Sequence, residues 1–231
     1  MRSWPLLIVA FWPGAAAPQS GSLVQGPHRM EISLQRLERG AWTTVDPGLV
    51  FAQEDRVRFR FHTNFDGYLY VMNRSTSGKY DQLFPREETG QENHITAGRD
   101  YLVPATQADF RIAGPAGHEI VYWLISPLKL DGPSPPKYTP LPPPPPPERR
   151  FPEDLTPRCD DEIFHARGEC VDSSAGLQGV ARGEALPPKL ADAGAATPRD
   201  LLFLRRQNTA VVSSVVPLTG PVIYEFRLAH K

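Results

Sequence analysis

Two cysteines, one histidine and three acidic residues lie close together in the chain: Cys159-Asp160-Asp161-Glu162, then His165, then Cys170. Thiolate and imidazole are zinc ligands, so this set could hold a metal ion. The same two sulfurs could instead close a disulfide, the natural state of a cysteine pair in an exported chain. A loop of that size contributes about 3 kcal/mol in the chain-entropy model. Free thiols are the third possibility. No Cys-x-x-Cys or His-x-x-x-His spacing accompanies the pair. Disulfide is the expectation for Cys159 and Cys170, with zinc and free thiols as alternatives.

Other reactive types are scattered. His62, His94 and His118 fall in three separate segments, and a site built from them would have to assemble in space. His230-Lys231 is a terminal pair with no visible partner. Glu87, Glu88 and Glu92 form an acidic stretch that could do acid–base work, but a solvated loop is the plainer reading. Thr76-Ser77-Gly78-Lys79 is like the tail of a phosphate loop, without its first glycine or the following hydroxyl residue. No Gly-x-Ser-x-Gly elbow is present. Asn73-Arg74-Ser75 fits the glycosylation acceptor pattern. From these residues we assign no catalytic residue, no metal ligand and no cofactor.

The elements that position such residues follow from composition and periodicity. A chain of 231 residues with 40% hydrophobic content fits one domain, or two small ones. A formal charge of −1 supplies no footprint for nucleic acid. The 26 prolines and 18 glycines are too few for a wholly low-complexity chain, but the prolines cluster. At the start, Arg2 precedes an apolar stretch, Trp4 to Trp12, followed by Ala15-Ala16-Ala17. That order reads as a secretory signal peptide over residues 1–17. The expected location is therefore outside the cytoplasm, in the periplasm or beyond. The stretch is short of the roughly 20 residues a spanning helix needs, and no later segment reaches that length.

From about Leu23 the pattern has period two. Met30, Ile32 and Leu34 alternate with polar residues, as do Val57, Phe59 and Phe61 with Arg56, Arg58, Arg60 and His62. Such alternation makes half-buried strands. Tyr68 to Asn73 is apolar on both faces, which suits a central strand. The intervening Asp66-Gly67 suggests that it forms a hairpin with Arg56–His62. Tyr80–Phe84, Tyr101–Val103, Asp109–Ala113, His118–Ser126 and Val222–Leu228 add further strands. Asp200–Arg206 reads equally as a short capped helix or an edge strand. Short strands at even spacing point to an all-β fold, an immunoglobulin-like β-sandwich.

A different composition interrupts it. Residues 133–147 hold ten prolines, ending in the run Pro142–Pro147. Polyproline is a stiff extended strut at about 3.1 Å per residue. Residues 148–197 carry few large apolar side chains. The expected organisation is a single sandwich from 23–130 plus 198–231, with 131–197 as a long, largely disordered proline-rich insertion. The C-terminal strand returns to the main sheets.

The middle block resembles a bacterial family known as domain of unknown function 4384. The resemblance rests on Gly67-Tyr68-Leu69-Tyr70-Val71-Met72-Asn73, Gly78-Lys79 and Leu83-Phe84-Pro85. It continues through Ile95-x-Ala97-Gly98, Tyr101-x-x-Pro104 and Gly114-Pro115-x-Gly117-x-Glu119. It covers about residues 50–126. Members are typically exported or appended to other modules, and the family offers no catalytic residues to carry over, so the resemblance implies fold and class but no reaction. These residues also have structural uses: Gly67 and Gly78 suit positive-φ turns, and Phe84-Pro85 ends a strand.

The function expected from this reading is a non-catalytic module that binds a protein or a cell-envelope component. Its candidate binding residues are Arg58, Arg60 and His62 on the charged strand face, and Tyr68, Tyr70 and Tyr80 as an aromatic surface. An exposed sheet edge is a further route to a partner. The alternatives are an envelope-acting hydrolase with a His/acid site assembled in space, or an accessory subunit of an enzyme.

Overall fold

The computed structural model describes residues 27–85, 93–104, 109–129, 157–160, 168–180, 186–187, 190 and 201–231. The segments expected to form the signal peptide, the acidic loop at 87–92 and the proline run lie outside them.

Every named element is a strand. In chain order these are β1 (His28–Glu38), β2 (Ala41–Val45), β3 (Arg56–Thr63), β4 (Gly67–Arg74), β5 (Tyr80–Phe84), β6 (His94–Ile95) and β7 (Asp100–Val103). They continue with β8 (Phe110–Arg111), β9 (Gly117–Ser126), β10 (Gly176–Gln178), β11 (Leu201–Arg206), β12 (Thr209–Ser214) and β13 (Val222–His230). The first sheet has the order β11-β12-β1-β3-β7, with β2 beside β1 and β8 beside β3. The second runs β10-β13-β9-β4-β5, with β6 beside β4. All these strand pairings are antiparallel. The chain is the all-β sandwich that its alternation predicts.

Period two decides which side chains meet between the sheets. Met30, Ile32 and Leu34 of β1 and Val57, Phe59 and Phe61 of β3 are buried, as are Leu69 and Val71 of β4. Val121, Trp123 and Ile125 of β9 join Val222, Tyr224 and Phe226 of β13 from the other side. Trp123 is the centre. It stacks on Phe61 at 5.3 Å, meets Phe59 edge-on at 5.4 Å, and lies parallel to Tyr224 at 6.5 Å. Burial of each large side chain contributes about 1.5–3 kcal/mol, so this aromatic cluster ties the two sheets together.

Three expectations change. The hairpin between Arg56–His62 and Tyr68–Asn73 does not form: β3 pairs with β1, β7 and β8, whereas β4 pairs with β9, β5 and β6. Both strands have an apolar face, and each turns it toward the core from an opposite sheet. Residues 63–67 are the crossover, held by the Phe65 amide donating to Thr63 Oγ1 at 3.1 Å and the Arg29 amide donating to Asn64 Oδ1 at 2.7 Å. Gly67 accordingly serves close approach and not positive φ. A Cβ there would lie 2.7 Å from the Ser126 carbonyl oxygen. Gly78, at φ 81°, is the turn glycine, closing β4 onto β5.

The ambiguous Asp200–Arg206 segment resolves as the edge strand β11. The C-terminal strand is central in the second sheet, between β10 and β9. The stretch 168–180, inside the expected insertion, is built into the sandwich. It supplies β10, and Val171 and Asp172 are buried. The polar composition hid this, because single apolar residues dock here without any period.

Candidate functional site

Arg58, Arg60 and His62 lie on the outward face of β3. Their inward neighbours Val57, Phe59 and Phe61 are fully buried, which fixes the charged residues outward. The structure places the three in one row but gives each a partner on the same face. Arg60 pairs with Asp100 of β7, and His62 Nδ1 lies 3.2 Å from the other oxygen of that carboxylate. The Arg60 hydrogen bond is the main reason the Asp100 carboxyl titrates below its ordinary range. Arg58 is held differently. Its Nε donates to Gln35 Oε1 at 2.8 Å, and its guanidinium sits 4.2 Å above the Trp42 ring.

The tyrosines do not form one exposed surface. Tyr70 and Tyr80 pack against an apolar cluster on the outer face of the second sheet. That cluster contains Met72, Ile120, Tyr122, Leu124 and Ile223, with Leu190 laid over it from the insertion. Tyr68 stands apart, edge-on to His94 at 5.2 Å.

The three histidines also occupy separate places: His62 on the first sheet, His94 beside Tyr68, and His118 buried near Asp172. His118 Nε2 lies 3.3 Å from Asp172 Oδ2. Among the described residues, no group of three or more His, Cys, Asp or Glu is placed to hold a metal ion. Cys159 and Cys170 form a disulfide with Cα atoms 4.8 Å apart. Asp161, Glu162 and His165 lie outside the described residues. Lys79 pairs with Asp81 at 2.9 Å in the β4–β5 turn. Asn73 is nearly buried and its amide donates to Glu119, so it is not available as a glycan acceptor in the folded chain.

A second polar centre was not read from the sequence. At one end of the sandwich, the β4–β5 turn and the segment after β8 enclose a cleft of about 490 Å³. Glu119 of β9 forms its floor and is 8% exposed. Asn73 Nδ2 donates to Glu119 Oε2 at 2.7 Å, and the Thr76 amide donates to Oε1 at 3.3 Å. Burial pushes the Glu119 carboxyl above its ordinary range, and these two hydrogen bonds oppose the rise. His230 is fully buried beside it, with Nε2 3.7 Å from Glu119 Oε1. Burial, and then the charge of His118, holds the His230 imidazole below its usual value.

The terminal pair therefore has partners after all. β13 runs on past Leu228, and Phe51 pairs with it: the Phe51 amide donates to the Ala229 carbonyl and the Lys231 amide to the Phe51 carbonyl. The available signal was the continued alternation of Leu228 and His230 on one face.

Asn73, Lys79, Leu83, Pro104, Gly114 and Glu119 all line this cleft, and each belongs to the motifs that carry the family resemblance. Residues 50–129 match the model of the family described as Domain of unknown function (DUF4384). No curated protein and no solved structure matches the chain.

Proposed function

We propose that this chain is an exported, non-catalytic binding module. Its recognition surface is the outer face of the first sheet, and its partner is an acidic protein or envelope component. The observation that carries this reading is the setting of Arg58. Two neutral partners, Gln35 and Trp42, orient its guanidinium, and the acidic group whose charge reaches it, Asp109, is already paired with Arg56. A planar, pre-positioned guanidinium is suited to bidentate capture of a carboxylate or phosphate. Arg60 and His62 share Asp100 beside it, so a partner's anion could compete for the same row. Such competition favours specificity and association rate more than raw affinity.

The test is capture from crosslinked native envelope extract, with the intact chain and an Arg58→Ala/Arg60→Ala variant as parallel baits. Loss of one stoichiometric partner from the variant alone is the expected result. A partner retained by the variant removes the arginine face from consideration. A third bait lacking only residues 133–147 separates sheet recognition from recognition by the proline run. That deletion spares 168–180, which the sandwich needs.

A further inference from the structure

We infer that the end cleft is a binding site for an organic cation, a primary ammonium or guanidinium group, with Glu119 as its counter-ion. This site is separate from the arginine face.

The cleft floor has more acceptors than donors. Glu119 brings two carboxylate oxygens, and its hydrogen-bond donors, the Asn73 amide and the Thr76 backbone and hydroxyl, are neutral. Asn73 Oδ1 is buried and has no hydrogen-bond partner among the described residues, while the Thr76 hydroxyl is turned to the Glu119 carboxylate. Asn73 is 7% exposed, so this is a built feature of the core edge and not a surface accident. Buried polar atoms are normally paired, and each exception asks for an explanation. A carboxylate out of water is costly unless a cation meets it.

The cations at the rim are engaged elsewhere. Lys79 pairs with Asp81, and Arg111 pairs with Glu54 at 3.2 Å. The nearby His230 imidazole is held toward its neutral form by burial. Lys79 and Asp81 both line the mouth and offset each other there, so the Glu119 carboxylate sets the charge of the floor. A ligand that only donates matches this set: ammonium offers three N–H groups, and guanidinium offers five in a plane.

The shape fits a cation on an apolar stem. Phe110, Leu83 and Leu228 supply apolar wall beside the polar floor. Gly114 keeps the space open at φ 94°; a Cβ there would approach Thr76 Oγ1 to 3.1 Å.

The experiment uses the full chain and four probes of similar size: butylammonium, methylguanidinium, butanol and butyrate. The signals followed by NMR are the Thr76 backbone amide and the Asn73 side-chain amide. Saturable shifts with the two cations, and none with butanol or butyrate at matched concentration, are expected. Glu119→Gln should weaken cation binding at least about tenfold, the loss of a charge-assisted hydrogen bond. Thr76→Val at the rim should weaken it a few-fold with the fold intact, and it decides the matter if the glutamine variant does not fold. Arg58→Ala/Arg60→Ala should bind the cations as before. Equal binding of butanol, full cation affinity in both cleft variants, or no shift with any probe would overturn the proposal.

Discussion

The two outer faces of this sandwich follow opposite rules. On the first sheet, Arg58, Arg60 and His62 point to solvent and take partners within the face, from Gln35, Trp42 and Asp100. On the second sheet, Ile120, Tyr122, Leu124 and Ile223 point outward, yet all are buried. The chain covers them with its own later residues: Leu190 lies in the same cluster, and Val180 and Leu186 pack against it. An antiparallel sheet with one solvated face reads as clean alternation, whereas one covered on both faces reads as a continuous apolar run. That contrast is the difference between Arg56–His62 and His118–Ser126. The second sheet is therefore covered by the later segment, whereas Arg60 on the outer face of the first sheet stays half exposed.

The largest expected effect tests that cover. Leu124 is fully buried although it points away from the sandwich core. Leu124→Ala should cost about 2–5 kcal/mol, the range for a buried leucine. Gln35→Ala on the opposite outer face removes one part-buried hydrogen bond and should cost about 0.5–1.5 kcal/mol. Urea unfolding of the two variants measures both. Equal losses would mean that the two faces are not different in kind.

Acidification probes the polar groups that each sheet buries at its ends. His28, at the start of β1, accepts a hydrogen bond at Nδ1 from the Leu218 amide at 2.8 Å and stacks on Phe65 at 4.3 Å. Burial lowers its affinity for a proton, as it does for His230 at the end of β13. Groups with a depressed folded value add stability that is present above the ordinary imidazole value of 6.5 and lost as pH falls below it. Glu119 acts in the opposite sense. Its raised folded value makes its stabilisation complete below 4.5 and lost as pH rises through the folded value. The thermal midpoint should therefore decline as pH falls through 6.5, with Glu119 returning part of the loss on its own protonation. Glu119→Gln should steepen the decline, and His230→Phe should flatten it. A midpoint that rises on acidification would contradict the burial of both imidazoles.

The strands were legible in the sequence because burial has period two, and Val57, Phe59 and Phe61 against Arg56, Arg58 and Arg60 carry that signal without ambiguity. Pairing was less legible. Asp66-Gly67 signals a reversal equally well whether the chain re-enters the same sheet or crosses to the other. Only the close approach of Gly67 to Ser126 separates the two outcomes. The covering segment was hidden because Val180, Leu186 and Leu190 are isolated among small, charged and proline residues and dock one at a time. The cleft was hidden for a different reason. Asn73, Glu119 and His230 come from three places in the chain, and the paired register of β4, β9 and β13 brings them together. The arginine row was visible as a face, but its partners Trp42 and Asp100 were not, because they depend on the order β2-β1-β3-β7.

The smallest expected effects lie on that row, and they distinguish two ways of holding an arginine. Arg60 and Asp100 are each about half exposed, with side-chain accessibilities of 52% and 45%. A pair so placed contributes about 0–1 kcal/mol, and salt screens it. Arg58 rests on Trp42 and Gln35, and a stack of this kind at an exposed site contributes about 0.5–1 kcal/mol. Its contacts are neutral, and Asp109, whose charge reaches it through space, is already paired with Arg56, so salt has less to screen. Arg60→Ala should therefore cost less in high salt than in low salt, whereas the loss from Arg58→Ala should stay nearly constant. Urea midpoints at two salt concentrations separate them. A loss at Arg58 as salt-dependent as that at Arg60 would mean that Asp109, whose charge reaches Arg58, already neutralises it. The oriented, uncompensated guanidinium on which the proposed recognition depends would then be gone.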